Sequence, residues 1–323
     1  MKLVSFEAIA DPQSENHLGV ICREGAYIVD IQAVEILRRR RMVPGLMSMM
    51  SLLHDFDFGL SIIQDDLAFW EKEQPPGCAY TWEEIKLLSP LTLPKSLRHI
   101  MEDPHMYAPD GVVSIGKYVS RFLTRLLSRK KEVGFSYYLG NHKAVIGNQQ
   151  EIPWPASFGQ LDLEVELAIF IKKEGVNIPE EQALEYVGGL SLFNDITATD
   201  LYQQELEGKK PHTKSKSFNH SNVMGPHLLT LEALAEQDEF HLEVAVNDKE
   251  WISESYPELP VSISKIISDI SQHETLSYGD VITTGMLPNA CGRVGDKYLK
   301  AGDTLKIQME PFGTLTNKIV RFP

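Results

Sequence analysis

The sequence predicts an α+β fold that is built mainly of strands. The first 35 residues alternate apolar and polar side chains with the two-residue period of strands, in KLVSFEAI and again in HLGVICREGAYIVDI. Glu24-Gly25 lies inside the second of these segments and suits a hairpin turn. From about residue 86 onward, short strand-like stretches separated by turns dominate, and three helical segments interrupt them.

The chain divides unevenly into two predicted domains. Residues 33–90 have apolar side chains at helical spacing in AVEILRRRRM and SMMSLLHDF, so we expect helices that connect the two parts. The break at Pro75-Pro76-Gly77 indicates a boundary. We therefore predict a small N-terminal β domain with a helical connector at 1–85 and a catalytic domain at 86–323.

The later elements follow in order along the catalytic part. We expect helices near Val119–Ser128, over IPEEQALEYV and over SISKIISDISQ, where four isoleucines share one face. Pro179 suits the first turn of the second helix, and Gly188-Gly189 ends it. Strands return in FHLEVAVNDKEW, GDVITTG and GDTLKIQMEPFGTLTNKIV.

Composition argues against several classes of partner. The 323 residues carry a net charge of −14, whereas a nucleic-acid partner would require a basic face. No apolar run approaches the ~20 residues of a membrane span, and the N-terminus lacks the basic and apolar regions of a signal peptide. Cys22, Cys78 and Cys291 lie far apart, so we expect reduced thiols in a cytoplasmic protein.

The segment GQLDLEVELAIF places two carboxylates on one face of an apolar strand. Side chains alternate along a strand, so Glu164 and Glu166 point the same way, roughly 6–7 Å apart. A half-exposed strand with its glutamates in water would show the same pattern. Asp195, however, follows a second strand-like run, GGLSLFND, and the intervening turn and helix would bring that run back beside the first.

Convergence of these three carboxylates would favour a bound cation. Glu164, Glu166 and Asp195 would repel one another, and burial would add a desolvation cost. A divalent cation removes both problems. Because all-oxygen ligation selects hard ions over zinc, we predict Mg²⁺ or Mn²⁺, with Ca²⁺ also compatible.

Five segments resemble the fumarylacetoacetate hydrolase family in their order and spacing. They are LDLEVELAIFI, EEQALEYVGGLSLFNDITATDL, KSKSFNHSNVMGPHLLT, YGDVITTG and LKAGDTLKIQMEPFGTLTNKIV. The resemblance covers roughly residues 86–323, and residues 1–85 resemble the small N-terminal β domain of many members. It implies a mixed β-roll or sandwich fold for the catalytic domain, and a homodimer.

The resemblance also assigns site residues. In the family, both glutamates of an ExE motif and the aspartate of an ND pair bind the metal, which implies the ligands Glu164, Glu166 and Asp195. The lysine of the family's K-[SD]-F motif matches Lys216, which implies contact with substrate near the metal. Asp162 shares the parity of the glutamates but precedes the motif, so we expect it in solvent.

One group of departures from the family pattern falls in SLRHIMEDPHMY. Relatives often have an aspartate where His99 stands and a histidine where Met106 stands. His105 is one residue away from that position and is our candidate general base, with Glu102 or Asp103 to orient it, although either acid could instead reach the metal. His99 is the other histidine that this segment offers as a base. The alternative is that His105 is a polar loop residue without a catalytic role.

Other departures concern substrate binding. The family's frequent arginine after the ND pair is Thr199 here, and its glutamine is Tyr202, followed by Gln203. A threonine usual in the family is Met286. We take Tyr202, Gln203 and Met286 as candidate substrate-binding residues. The loss of the family's usual residues at these positions predicts a different substrate or weakened catalysis. Basic residues in SRFLTRLLSRKK are candidates to supply the missing cation.

The resemblance implies chemistry on a small oxo or diketo acid, which would chelate the metal through two oxygens. The metal would stabilise the enolate that forms when a C–C bond breaks or a proton leaves. We predict a metal-dependent hydrolase that cleaves a C–C bond in an acylpyruvate or related β-diketo acid. Two alternatives stay open: an oxaloacetate decarboxylase or tautomerase on the same metal site, and a catalytically weakened homologue that binds metal and acid without turnover.

Overall fold

The computed structural model describes residues 1–10, 16–101, 135–155 and 158–321. Strands outnumber helices, which confirms the predicted α+β class with mainly strands. In chain order the strands are β1 (Lys2–Ala8), β2 (His17–Cys22), β3 (Tyr27–Asp30), β4 (Ala79–Tyr80), β5 (Ile85–Leu87), β6 (Ser96–Met101), β7 (Ser136–Leu139), β8 (Val145–Ile146), β9 (Glu151–Trp154), β10 (Leu161–Asp162), β11 (Val165–Ile171), β12 (Val187–Asp195), β13 (Thr197–Ala198), β14 (Asn222–Leu229), β15 (Phe240–Val246), β16 (Lys249–Tyr256), β17 (Asp280–Thr283), β18 (Thr304–Met309) and β19 (Gly313–Arg321).

Helices occupy the connections between these strands. The α-helices are Ile31–Arg39, Met49–His54, Phe56–Glu73, Thr199–Glu207, Leu231–Leu234 and Ile263–Ile270. Short 3-10 helices are Arg23–Gly25, Pro44–Leu46, Trp82–Glu84, His142–Ala144, Glu180–Tyr186 and Gly292–Gly295. Within the described ranges, no helix combines the length and the apolar character needed to cross a membrane. The three cysteines are free thiols.

The strands form two large sheets. The first has the order β4-β3-β2-β1-β14-β12-β11-β17-β6-β7, with β5 beside β1 and β8 beside β14. The second has the order β16-β15-β18-β19-β9, and β10 pairs with β13 separately. The largest apolar cluster takes side chains from both sheets and from the helix Ile263–Ile270, so one core joins the two sheets.

The first strand connects the N-terminal segment to the rest of the chain. β1 pairs antiparallel with β14, and Lys2 lies opposite Leu229. β1 also pairs with β2, which forms a hairpin with β3 around the turn predicted at Glu24-Gly25. The early strands therefore extend the first sheet, and the domain boundary at residue 85 stays a prediction.

The helix predicted over SISKIISDISQ is confirmed by Ile263–Ile270. All four of its isoleucines are buried, and the Ser262 side chain caps it by accepting a hydrogen bond from the Lys265 N–H at 3.3 Å. Over IPEEQALEYV the structure has a 3-10 helix, Glu180–Tyr186, which connects β11 to β12. The helix predicted near Val119–Ser128 lies outside the described residues.

Candidate functional site

Two neighbouring strands bring the predicted acidic residues together. β11 and β12 pair antiparallel with Val165 opposite Asn194, and the Asp195 N–H donates to the Glu164 carbonyl at 2.9 Å. This register places the acid-bearing ends of both strands side by side. Glu164 and Glu166 are only 7% and 2% exposed, so the alternative of a half-exposed strand with its glutamates in water is wrong.

One half of the site consists of paired charges. Lys216 Nζ donates to Glu164 Oε2 at 2.6 Å and to Asp195 Oδ2 at 2.7 Å. The other oxygen of Glu164, Oε1, accepts hydrogen bonds from the Arg293 guanidinium and from the Thr197 hydroxyl. Both oxygens of Glu164 therefore have a cationic partner. We call Glu164, Lys216 and Arg293 the paired half.

Ion pairing decides the protonation of the paired half. Burial alone would favour a neutral Glu164, but Lys216 and Arg293 outweigh it and lower the pKa of Glu164 to about 2. Burial also opposes the charged form of Lys216, yet the carboxylates of Asp195 and Glu164 raise the pKa of Lys216 above its usual value. At neutral pH these side chains are therefore all charged.

The other half of the site contains unpaired polar atoms. His99, Glu166 and Asp195 each offer one ligand atom, and these atoms lie within 4.8 Å of one another. Among the described residues, His99 Nε2, Glu166 Oε2 and Asp195 Oδ1 are buried and have no hydrogen-bond partner. Buried polar atoms are seldom left unpaired unless an ion or a water completes them. We call these three residues the open half; Asp195 links it to Lys216 through Oδ2.

Burial controls the protonation of the open half. Burial raises the pKa of Glu166 well above its usual value, and the neighbouring charge of Asp195 adds to this shift. Burial also lowers the pKa of His99 to about 4, so its imidazole is neutral at pH 7. A bound cation would reverse the shift of Glu166, because it would favour the carboxylate.

Aromatic side chains hold the imidazole of His99 in place. Its ring stacks on Tyr138 with centroids 4.6 Å apart at an angle of 6°, and Phe193 meets it edge-on at 5.3 Å. The Tyr138 hydroxyl donates to Asp195 Oδ2 at 2.8 Å, and the Thr283 hydroxyl lies 3.3 Å from His99 Nδ1. β6 and β17 run parallel with Thr283 opposite His99, so the sheet itself sets this geometry.

The structure brings the predicted ligands and the predicted lysine together, but in two groups. Glu164 belongs to the paired half, whereas Glu166 and Asp195 belong to the open half. Lys216 is buried between the carboxylates, while Lys214, two residues earlier, is exposed. The assignment of all three carboxylates as metal ligands stays a prediction.

The expectation of a solvated Asp162 is wrong. Its side chain is fully buried, and its carboxylate accepts backbone N–H hydrogen bonds from Leu163 and Gly292 at 2.8 Å and from Arg293 at 3.3 Å. Burial raises the pKa of Asp162 to about 7. Asp162 therefore holds the turn that carries Arg293, a role that strand parity alone could not reveal.

The candidate substrate-binding residues have different surroundings. Tyr202 is half-buried and stacks on His212 with ring centroids 4.3 Å apart, whereas Gln203 is exposed. Met286 is buried, and its Sδ lies 3.9 Å from Arg293 Nη2. Their assignment to substrate binding stays a prediction.

Some predicted residues fall outside the described part of the chain, and two site residues escaped the sequence analysis. His105, Glu102 and the segment SRFLTRLLSRKK lie within residues 102–134, of which nothing is described.

Tyr138 was missed because a tyrosine pair on a short strand carries no charge pattern. Arg293 was missed as well, although it follows Met286 closely, and that departure from the family pattern is the signal that would have found it.

Comparison with known proteins tests the resemblance. The family model described as fumarylacetoacetate (FAA) hydrolase C-terminal matches residues 120–320. The chain belongs to the fumarylacetoacetate hydrolase family. The match spans most of the predicted catalytic domain and confirms the resemblance carried by the five sequence segments.

Two curated relatives and one solved structure illustrate the family. The chain is 30% identical over 258 residues to the oxaloacetate tautomerase YisK of Bacillus subtilis, covering 78% of this chain and 80% of that protein. It is 28% identical over 325 residues to a mitochondrial oxaloacetate tautomerase of Bos taurus, covering 99% of this chain and 92% of that protein. A maleylpyruvate hydrolase from Sphingobium sp. SYK-6, solved with manganese (II) ion and pyruvate, has a TM-score of 0.70 and 20% identity over the whole of both chains. At that identity the structure shows a shared fold.

Proposed function

We propose that this chain is a tautomerase that interconverts the keto and enol forms of oxaloacetate or a closely similar 2-oxo acid. The observation that carries the proposal is the buried ammonium of Lys216, which two carboxylates hold beside the unpaired atoms of the open half. A preorganised cation in a buried site stabilises the negative charge that develops on an enolate oxygen. The names of the two tautomerase relatives support this reaction over the C–C hydrolysis that the sequence analysis preferred.

A divalent cation such as Mg²⁺ or Mn²⁺ fits the residues of the open half. Glu166 and Asp195 each present a buried oxygen without a partner among the described residues, and carboxylate oxygens suit these ions. When bound, the cation would polarise the ketone and lower the free energy of the enolate. The manganese (II) ion of the maleylpyruvate hydrolase supports a cation in this fold.

The carboxylate of the substrate needs a cationic partner, and Arg293 fits this role. Its side chain is 37% exposed, although the guanidinium donates to Glu164. A guanidinium has five N–H donors, so the contacts of Nη1 with Glu164 and Asp162 leave others for a substrate carboxylate. Met286 lies against the same guanidinium. Arg293 would thus supply the cation that is missing at Thr199.

Tautomerisation moves one proton between a carbon and the carbonyl oxygen beside it. Lys216 Nζ would donate a hydrogen bond to that oxygen as the enol forms, because Asp195 and Glu164 keep the ammonium charged. No water has to attack a carbonyl, so the reaction needs no water-activating base, but a base must take the proton from the carbon and an acid must deliver one to the oxygen. The roles predicted for His105 and Glu102 belong to the hydrolase alternative.

A direct test follows the ultraviolet absorbance of the enol of oxaloacetate as it converts to the ketone. We expect the protein with Mn²⁺ to accelerate this conversion above the spontaneous rate, which heat-denatured protein provides. We also expect no release of CO₂ and no cleavage of acylpyruvates. Cleavage of an acylpyruvate would establish a hydrolase instead, and formation of pyruvate with CO₂ would establish a decarboxylase.

A further inference from the structure

We infer that His99 is a metal ligand together with Glu166 and Asp195, and that this nitrogen makes the site prefer Zn²⁺ or Fe²⁺ to Mg²⁺ and Ca²⁺. The inference rests on the proposed function in one respect, namely that a divalent cation binds at this site. It departs from the all-oxygen ligand set of Glu164, Glu166 and Asp195 that the sequence predicts.

The three side chains converge to nearly the right spacing. Their ligand atoms lie within 4.8 Å of one another, and His99 Nδ1 is 3.7 Å from Asp195 Oδ2. Bonds of about 2.0–2.2 Å from a cation to nitrogen or oxygen place neighbouring ligand atoms about 3–3.5 Å apart. Binding would therefore need a contraction of about one ångström, which small side-chain rotations can provide.

The imidazole is positioned before any cation binds. His99 is fully buried, with Tyr138 stacked on its face and Phe193 against it edge-on. On another side, Gly140 lies so close that a Cβ there would be 2.4 Å from His99 Nε2. A side chain fixed in this way loses little rotamer freedom when it becomes a ligand.

Glu164 is the competing candidate for the third ligand, and its existing contacts disfavour it. Oε1 accepts from Arg293 and Thr197, and Oε2 accepts from Lys216 at 2.6 Å. Ligation by Glu164 would disrupt a buried ion pair, which is costly when it leaves a cation without its partner. His99, in contrast, turns Nδ1 towards Asp195, with Asp195 Oδ2 at 3.7 Å and the neutral hydroxyl of Thr283 at 3.3 Å, so ligation by its neutral imidazole breaks no ion pair.

A nitrogen ligand changes which cations fit the site. Carboxylate, carbonyl and water oxygens suit Mg²⁺ and Ca²⁺, whereas imidazole suits Zn²⁺ and Fe²⁺. Two carboxylates with one imidazole therefore favour ions that accept both kinds of donor. Mn²⁺ is compatible with the carboxylates and has an unpaired-electron signal, so it is the probe of choice for the ligand atoms.

The first test measures metal preference. Purified full-length protein is freed of metal with a chelator and titrated separately with Zn²⁺ and Mg²⁺ by calorimetry. His99→Asp replaces the nitrogen by oxygen and should lower the Zn²⁺-to-Mg²⁺ affinity ratio by at least roughly tenfold, the lower end of losses seen when a metal site is disturbed. His241→Asp changes an exposed histidine on β15 and should leave the ratio unchanged.

The second test identifies the ligand atom. Pulsed electron paramagnetic resonance of bound Mn²⁺ detects a directly coordinated imidazole nitrogen as a modulation of the signal. We expect this modulation in the native protein and in His241→Asp, and its loss in His99→Asp. If His99→Asp does not fold, the spectrum of the native protein decides, because absence of the modulation removes imidazole from the ion.

Four results would overturn the inference: an unchanged affinity ratio in His99→Asp, a nitrogen modulation that persists there, no modulation in native protein, or native protein that binds none of these ions. The proposed function fails separately. Nitrogen ligation in a protein that does not accelerate oxaloacetate tautomerisation would refute the function and leave the ligand assignment in place.

Discussion

The paired half and the open half of the site use one strand in opposite ways. Glu164 and Glu166 lie two residues apart, yet Glu164 is held by Lys216 and Arg293, while one oxygen of Glu166 has no partner within the described part of the chain. The pKa of Glu164 is lowered to about 2, and the pKa of Glu166 is raised. Neighbours from other segments cause this difference, because the strand itself offers both glutamates the same backbone.

The difference separates two tasks within one buried volume. A carboxylate that is compensated by fixed cations positions those cations, whereas one without compensation attracts a cation from solvent. Lys216 and a divalent ion would repel each other strongly in a buried site. Because Glu164 and Asp195 neutralise the ammonium, Lys216 and the proposed ion would be able to lie near the same substrate.

The largest effect is expected from removing a carboxylate of the open half. Glu166→Gln should weaken Mn²⁺ binding by more than about 100-fold because it removes a ligand, whereas Glu164→Gln should weaken it about tenfold through charge alone. Calorimetry on the two variants measures the contrast. Equal losses would make Glu164 a ligand as well, as the sequence predicts, and the division into two halves would fail.

A change in the paired half should affect turnover and not metal binding. Lys216→Met removes the cation next to the enolate oxygen and should lower kcat for tautomerisation by about 10²–10³-fold. Mn²⁺ affinity should not fall, because the substitution removes a neighbouring positive charge. Lys214→Met is the matched control, since Lys214 is exposed two residues away and should retain full activity. Loss of activity in the control alone would contradict the placement of Lys216.

A smaller effect should follow from crowding the open half indirectly. A Cβ at Gly140 would lie 2.4 Å from His99 Nε2, so Gly140→Ala must displace the ring. We expect a loss of about 1–3 kcal/mol in the free energy of unfolding, typical of overpacking, together with weaker Mn²⁺ binding. Urea denaturation and calorimetry measure both. Gly45→Ala is the control because an added Cβ there meets nothing within 4 Å. Unchanged Mn²⁺ affinity in Gly140→Ala would count against His99 as a ligand.

The smallest effect concerns a buried histidine outside both halves. Burial lowers the pKa of His227 to about 3, and its Nε2 lies 3.2 Å from the Pro311 carbonyl. The unfolded chain takes up a proton near the ordinary value of 6.5, so this contribution to stability is complete above pH 6.5 and is lost as pH falls towards 3. At pH 5.5 the loss should reach about 1 kcal/mol relative to pH 7.5.

His227→Gln tests this expectation because glutamine can still donate to the Pro311 carbonyl without titrating. Urea denaturation at pH 7.5 and 5.5 should show a shallower dependence on pH in this variant. The difference between native protein and variant gives the part of the pH dependence of unfolding that His227 causes, and this part is subtracted before acid sensitivity is assigned to the open half. An identical pH dependence in native protein and variant would show that His227 does not stay neutral in the folded state.

The sequence by itself determined the strand-rich class, the isoleucine face of Ile263–Ile270 and the meeting of Glu164, Glu166 and Asp195. These features depend on local periodicity and on the register of adjacent strands, which a short stretch of chain encodes. The lysine at 216 was also reached from sequence, through its spacing to Phe218 in the family motif.

Only the tertiary structure decided how these groups divide. Strand parity gives Glu164 and Glu166 the same face, but it cannot show that Arg293 arrives from a distant turn at one of them. It also cannot show that β6 places His99 beside the other. Asp162 was misjudged for the same reason, because its partners at Gly292 and Arg293 lie about 130 residues away in sequence. Charge compensation depends on contacts between segments, and only the folded chain brings those segments within hydrogen-bond distance.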